Sequence, residues 1–152
     1  MEQFQELRSE EPLVFDDSLN IVIFVRIVHL HDPYIFFIKL DDMKKVIATE
    51  NAPKAVGPYS QAIEVNGTLY ISGQIPVNPA DGQVQTEITA AAHQSLKNIG
   101  AILKEAGMTY DNVVKTTVLL ADIADFKAVN EVYAEYFTGD KPARACYQAA
   151  AL

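Results

Sequence analysis

The dipeptide Asn66-Gly67 is the feature that most restricts how this chain can fold. It lies between two runs of alternating apolar and polar residues, 59–65 and 68–73. A two-residue type I′ turn needs positive φ at both central positions, which Asn and Gly tolerate better than other residues. The sequence therefore predicts an antiparallel β-hairpin over this stretch.

The chain after this hairpin alternates between helix and strand patterns. Residues 86–106 carry apolar side chains at spacings of four and three, which predicts one buried helix stripe made of Ile88, Ala92, Leu96, Ile99, Leu103 and Ala106. Residues 113–121 are β-branched and predict a buried strand. A second amphipathic helix is expected from Asp122, its N-cap, to near Gly139, with Ile123, Phe126, Val129, Tyr133 and Phe137 as its stripe.

Short strands at 44–49 and 142–152 complete the pattern, giving strand, strand, strand, helix, strand, helix, strand from Met43. A hairpin followed by helical crossovers predicts an α+β fold, a mixed β-sheet with both helices packed on one face. The other face needs a cover, and no third layer is encoded. We therefore expect a closed homo-oligomer in which copies of the chain cover one another.

Residues 1–42 differ in character and are treated as an atypical N-terminal extension before a domain at 43–152. Residues 21–25 and 34–38 are rich in β-branched and aromatic side chains, which favours two strands of a hairpin. Charged residues and Pro33 interrupt the apolar stretch, so it is too short for a membrane-spanning helix. The alternative is upstream sequence with no evolved structural role.

The balance of charge argues against several classes of partner. The chain carries 20 acidic and 12 basic side chains, a net charge of −8. Nucleic-acid-binding proteins need clustered Lys and Arg to displace counterions, so we expect no nucleic-acid partner and no membrane partner.

A single cysteine suits a reducing compartment and predicts a cytoplasmic protein. His29 and His31 alone would make a weak metal site, so no metal is expected.

The last strand carries the candidate chemistry. Alternation along residues 142–152 puts Arg144, Cys146 and Gln148 on one face and Ala143 on the other. An arginine presented from a strand offers a planar fork that matches a carboxylate through two parallel hydrogen bonds. We therefore expect Arg144 to bind a small carboxylic acid.

Four further residues are candidates for the site. Tyr59 lies in a Gly-Pro loop, Ser72 and Gly73 lie at a strand end, and Cys146 neighbours Arg144. Each has an ordinary structural explanation: a packing ring, a hydroxyl bonded to backbone, a turn residue and an inert buried thiol. Arg144 could also pair with an acidic side chain. Taken singly, it is nevertheless the one candidate for which we favour a functional role over a structural one.

A nucleophilic role for Cys146 would need an adjacent base. His93 lies on the first predicted helix and is expected to face solvent or the sheet, so we assign Cys146 a lining role. The neighbouring Arg144 is expected to lower the pKa of its thiol.

Together these residues lie in stretches that closely resemble the signature stretches of the RidA (YjgF) family of enamine/imine deaminases. The resemblance covers residues 43–152, and it depends on the whole set standing in the same order. The stretches are 51–53 (Asn-Ala-Pro), 57–62 (Gly-Pro-Tyr-Ser-Gln-Ala), 71–79 (Ile-Ser-Gly-Gln-Ile-Pro-Val-Asn-Pro), 114–118 (Val-Lys-Thr-Thr-Val) with Phe126 and Asn130, and 142–146 (Pro-Ala-Arg-Ala-Cys).

This resemblance implies a chorismate-mutase-like fold and a homotrimer whose sheets form a central barrel, with clefts between subunits. It implies hydrolysis of 2-aminoacrylate and related enamines and imines (2-iminopropanoate, 2-iminobutanoate) to 2-keto acids and ammonia, with no cofactor. By the same resemblance Arg144 would grip the substrate carboxylate, Tyr59 and Ser72 would line the cleft, Gly73 would orient substrate and water, and Cys146 would lie beside them.

The chain departs from the family pattern at its end. The family continues beyond a residue like Leu152 into a final strand whose glutamate is thought to position water, so we expect a C-terminally truncated domain. Residues 21–28 or 34–39 are expected to fill the interior strand position, unless the chain is a truncated and mis-started product. Loss of that glutamate leaves an alternative function, a non-catalytic small-carboxylate-binding or chaperone-like trimer.

Overall fold

The computed structural model describes residues 21–28 and 44–152, which form one six-stranded sheet with two α-helices. The helices are α1 (Ile88–Glu105) and α2 (Phe126–Tyr136). The strands are β1 (Ile21–Val28), β2 (Lys45–Ile47), β3 (Ala62–Val65), β4 (Thr68–Gln74), β5 (Val113–Leu120) and β6 (Ala143–Gln148). This is the mixed α+β architecture that the sequence predicts.

The strands lie in the order β2-β3-β4-β1-β5-β6, and every neighbouring pair is antiparallel except β5 and β6, which are parallel. Strands β4 and β5 are both antiparallel to β1, so they run in the same direction and α1 forms the crossover between them. Helix α2 makes the corresponding crossover from β5 to β6. Helix α1 packs on β1 and β4 and also against α2, which places both helices on one face.

Strand β1 lies in the interior of the sheet, between β4 and β5. Successive side chains of a strand point to opposite faces, and this alternation turns Ile21, Ile23 and Val25 toward the helices, where none is more than 3% exposed. Residues 21–28 therefore take an interior strand position, one of the two placements expected from the sequence. The other segment, 34–39, and the histidines at 29 and 31 lie outside the described residues.

The predicted hairpin and first helix are confirmed. Asn66 and Gly67 have φ of 50° and 66°, as a type I′ turn requires. The carboxylate of Glu87 accepts hydrogen bonds from the backbone N–H groups of Thr89 and Ala90 and so caps α1. Gly107 follows the helix with φ of 72°, the left-handed conformation expected of a residue that ends it.

The second helix begins later than predicted. The side chain of Asp122 accepts a hydrogen bond from the Ala124 N–H at 2.9 Å, but it caps a 3-10 turn at Ile123–Asp125, and the α-helix begins at Phe126. Ile123 and Phe126 are consequently 48% and 40% exposed. The buried part of the predicted stripe consists of Val129, Tyr133 and Phe137.

The sheet face opposite the helices carries exposed apolar side chains. Phe24 on β1, Val46 on β2 and Tyr147 on β6 are 39%, 56% and 57% exposed, and the alternation of each strand turns them to this face. A face of this kind is typical of a contact surface between protein chains. Separately, neither helix in the described ranges is long and apolar enough to cross a membrane.

Candidate active site

Strand β6 presents Arg144 and Cys146 on the helix side of the sheet, as its alternation predicts. Cys146 packs against the hydrophobic core, and the guanidinium of Arg144 lies against α2. Tyr147, the next residue after Cys146, is exposed on the opposite face. The strand is fixed by parallel pairing with β5, in which Arg144 lies beside Thr116.

Two aromatic rings of α2 contact the Arg144 guanidinium. Its central carbon lies 4.7 Å from the ring centroid of Tyr133 and 5.5 Å from that of Phe126. Within the described part of the chain, Arg144 makes neither a side-chain hydrogen bond nor an ion pair. Guanidinium donates hydrogen bonds along its edges, whereas aromatic rings contact its faces. The donors of Arg144 therefore remain available to a ligand.

Tyr133 is itself held by two further contacts. Its hydroxyl is hydrogen-bonded to the Thr116 hydroxyl at 2.8 Å, and its ring stacks on Phe137 with centroids 4.3 Å apart. It is 6% exposed, and burial raises its pKa above the ordinary value, so the phenol is neutral at physiological pH. The sequence predicted Tyr133 as part of a buried stripe but gave no signal that it contacts Arg144.

The thiol of Cys146 has a raised pKa, which corrects the expected direction. Burial raises the pKa, and the positive charge of Arg144 lowers it by less. His93 is partly exposed and contacts α2, with its Nδ1 3.0 Å from the Tyr136 hydroxyl. The lining role of Cys146 stays a prediction.

Ser72 and Gly73 lie on β4 and differ in what they offer a ligand. The Ser72 hydroxyl donates to the backbone oxygen of Ser60 at 2.7 Å, so its proton is already used. At Gly73 a Cβ atom would meet the Phe24 ring and the Val22 side chain of β1 at 2.7–2.8 Å. A larger residue at this position would therefore require the Phe24 and Val22 side chains to move.

Tyr59 lines an open cavity of about 350 Å³ at the β2 end of the sheet, together with residues 46, 48–50, 54–55 and 60–61. The side chain of Gln61, which is 6% exposed, shapes this cavity. Its Nε2 donates to the backbone oxygens of Thr49, Ala52 and Pro53, and its Oε1 accepts from the Thr49 N–H. The loop before Tyr59 is therefore fixed by one buried amide. In the sequence, the only signal for this role of Gln61 is its place in the stretch 57–62.

The strand order separates the predicted site residues into two groups. Arg144 pairs with Thr116, Thr116 with Val25, and Val25 with Ile71, a row that crosses the sheet from β6 to β4. Three strand spacings put the ends of this row about 14 Å apart. Ser72, next to Ile71, and the loop beyond β4 therefore cannot contact a small carboxylic acid held by Arg144 of the same chain.

A metal centre is not formed by the residues that the structure describes, because they contain no group of three His, Cys, Asp or Glu side chains suited to hold an ion. The candidate residues offer a ligand a guanidinium, a thiol, two hydroxyls and backbone amides.

Comparison with known sequences gives strong matches. The family model described as Endoribonuclease L-PSP (Ribonuc_L-PSP) matches residues 49–152. The 2-iminobutanoate/2-iminopropanoate deaminase of Mus musculus is 58% identical over 111 residues, which cover 72% of this chain and 82% of the relative.

Solved structures agree in fold. The Rid-family protein YyfA of Yersinia pestis has a TM-score of 0.71 and 50% identity, and the match covers 72% of this chain and 89% of that protein. Escherichia coli TdcF, solved with bound serine, has a TM-score of 0.69 and 39% identity, covering 71% and 87%.

Proposed function

Because this chain belongs to the endoribonuclease L-PSP family, in which the RidA (YjgF) proteins fall, we propose that it hydrolyses reactive enamines and imines to 2-keto acids and ammonia. Its substrates are 2-iminopropanoate, formed from 2-aminoacrylate, and 2-iminobutanoate. Relatives at 58% identity carry the name of this activity. A cytoplasmic location, where pyridoxal-phosphate enzymes release such intermediates, is part of the proposal.

The observation that carries this proposal is Arg144 with its hydrogen-bond donors unoccupied. A substrate carboxylate accepts two parallel N–H bonds from the guanidinium edge, which fixes the imine carbon two bonds away. TdcF, solved with bound serine, gives a precedent for a small amino acid in a protein of this fold. Serine carries the same carboxylate beside a nitrogen-bearing carbon as the proposed substrates.

The reaction mainly requires that the protein position the substrate and a water molecule. The iminium carbon is already electrophilic, so water adds to it, the proton released by that water passes to nitrogen, and the C–N bond then breaks to give the keto acid and ammonia. No electrons are transferred and no cofactor is required. Orientation of the carboxylate and the water supplies most of the catalysis.

The roles of the other candidate residues follow from the separation of the site residues into two groups on the sheet. Tyr59, Ser72 and the backbone of Gly73 line the cleft and receive the carboxylate held by Arg144 of a neighbouring copy, and Cys146 lines the Arg144 side. Strands β2 and β6 are the two edges of the sheet, so a closed ring of subunits brings one group toward the other. A homotrimer with sites between subunits is therefore part of the proposal.

Carboxylate binding without turnover is a second candidate function. It is favoured by the side chains that β1 places against Gly73, since Val22 and Phe24 are apolar and residues 21–28 contain no acid to orient water. RNA cleavage, which the family description names, fits the composition less well. A net charge of −8 opposes the approach of a phosphate backbone.

The first test couples the protein to a serine/threonine dehydratase and follows keto acid release from the transient imine. The parent should shorten the lag, and Arg144→Ala should lower kcat/KM by about 100- to 10,000-fold, because two charge-assisted hydrogen bonds contribute about 1.5–3 kcal/mol each. Lys104→Ala, the same charge change on the last turn of α1, is the matched control and should match the parent.

An Arg144→Ala variant as active as the parent would contradict the deaminase proposal. Calorimetry with 2-oxobutanoate separates the two candidate functions. Binding that depends on Arg144, combined with keto acid release at the uncatalysed rate, would favour the binding protein over the enzyme.

A further inference from the structure

We propose that Tyr133 and Phe126 are positioning residues for Arg144, which they hold by the faces of its guanidinium so that every N–H edge stays available to the substrate carboxylate. This inference rests on the proposed function and adds residues to it. Its basis is the way in which the described part of the chain supports this one cation.

A carboxylate is a common partner of an arginine in a folded protein. The chain has 20 acidic side chains, yet none of those in the described ranges lies within ion-pair distance of Arg144. A neighbouring carboxylate would occupy the same N–H pair that a substrate needs, and it would cancel the charge. Aromatic faces attract the cation while leaving its donors unoccupied.

The two rings differ in burial and therefore in function. Tyr133 is almost fully buried and lies at 4.7 Å from the guanidinium carbon, so it sets the depth of the cation. Phe126 is 40% exposed, lies at 5.5 Å and flanks the cation at the rim of α2. Together the two rings restrict a long, rotatable side chain to one region, and Arg144 remains partly exposed.

The position of Tyr133 is set by the strand that also positions Arg144. Its hydroxyl bonds to Thr116 at 2.8 Å, and Thr116 is the β5 residue paired with Arg144 on β6. Ring, threonine and arginine thus belong to a single β5-α2-β6 crossover unit. A shift of α2 relative to β5 would move the ring and the cation together.

Four substitutions test this proposal, with the calorimetric Kd for 2-oxobutanoate as the first readout. Tyr133→Leu and Phe126→Ala each remove one ring face and should raise Kd about five- to tenfold, the range expected for loss of one cation–π contact. Tyr133→Phe keeps the face and loses the bond to Thr116, so Kd should rise about twofold or less. Ile123→Ala, at a residue 48% exposed just before α2 that offers no aromatic ring to Arg144, should match the parent.

The second readout is the NMR resonance of the Arg144 Nε–H, which ring currents shift upfield. Tyr133→Leu should move it downfield toward the position of a solvated arginine, Tyr133→Phe should leave it in place, and Ile123→Ala should not affect it. A general loss of helix stability would not produce this pattern. Phe126→Ala keeps the test decisive if Tyr133→Leu does not fold, because its ring is partly exposed.

The outcomes separate this proposal from the assigned activity. If Arg144→Ala abolishes binding and activity while both ring variants keep Kd and the Nε–H shift of the parent, the rings do not position the cation and only this inference is wrong. If Arg144→Ala binds 2-oxobutanoate as the parent does, both the inference and the proposed anchor are wrong.

Discussion

Cys146 lies two residues after Arg144 on the helix side of β6, where two opposing effects act on its thiol. Burial disfavours the thiolate, the guanidinium charge favours it, and burial is the larger effect, so the pKa lies above that of an ordinary cysteine. At neutral pH the thiol is therefore protonated and weakly nucleophilic. The Cys146 thiol is therefore suited to line a cleft, and it should react slowly with oxidants.

Alkylation of this single cysteine gives a direct test of that balance. The rate with iodoacetamide should rise with pH along a titration curve whose midpoint lies above that of free cysteine. Arg144→Gln removes the cation that favours the thiolate, so its midpoint should lie higher still. Lys104→Gln, which removes a distant cation, should keep the midpoint of the parent. A parent midpoint below that of free cysteine would contradict the assignment.

At the scale of single residues, the sequence predicts identities and faces better than contacts. Strand alternation is enough to put Arg144 and Cys146 on one side of β6. The contact between Arg144 and Tyr133 depends on how α2 packs on β5, which no local pattern encodes. The pKa of Cys146 was predicted in the wrong direction because charge is readable in sequence, whereas the depth of burial is not.

At the scale of elements, strand β1 shows what composition can predict and what it cannot. The β-branched run from Ile21 predicts a strand, and its alternation predicts which side chains turn inward. Composition does not predict which strands pair with β1, because pairing with β4 and β5 joins residues 40 to 100 positions apart. The late start of α2 has a similar cause: Asp122 is a good cap for either a 3-10 turn or a helix.

The interior place of β1 predicts a large effect of a single truncation. Ile23 is fully buried between the sheet and the helices. Ile23→Ala should therefore lower the free energy of unfolding by about 2–5 kcal/mol, through lost burial and the cavity it leaves. Urea denaturation followed by circular dichroism measures this value.

Val46→Ala is the matched comparison, since Val46 is also an aliphatic strand residue but is 56% exposed. Its effect should stay within about 1 kcal/mol. Equal, small effects of the two substitutions would show that β1 does not occupy the sheet interior.

At the scale of the whole molecule, the site residues lie toward opposite ends of one sheet. Arg144 is on the β6 edge, and the cavity beside Tyr59 is at the β2 end. The apolar face that carries Phe24 and Tyr147 offers the surface on which copies could meet. Function and association are therefore expected to be lost together.

Tyr147→Glu tests this dependence. Tyr147 is 57% exposed on the edge strand, so the substitution should leave the fold intact, but it would place a charge in the proposed contact between copies. Sedimentation should show a trimer for the parent and monomer for this variant, with deaminase activity lost in parallel. Lys104→Glu, on the outer side of α1, should remain trimeric and active. A monomeric parent with full activity would contradict a site between subunits.

The interior place of β1 also constrains the order of events during synthesis. The ribosome makes Ile21–Val28 before either of its neighbours, and its second partner, β5, is complete only at Leu120. Both edges of this apolar strand are unpaired until β4 is made, and the edge that pairs with β5 stays unpaired until Leu120, a state prone to self-association. We therefore expect slow elongation between β4 and β5 to lower the yield of folded protein, while the stability of the finished protein stays unchanged.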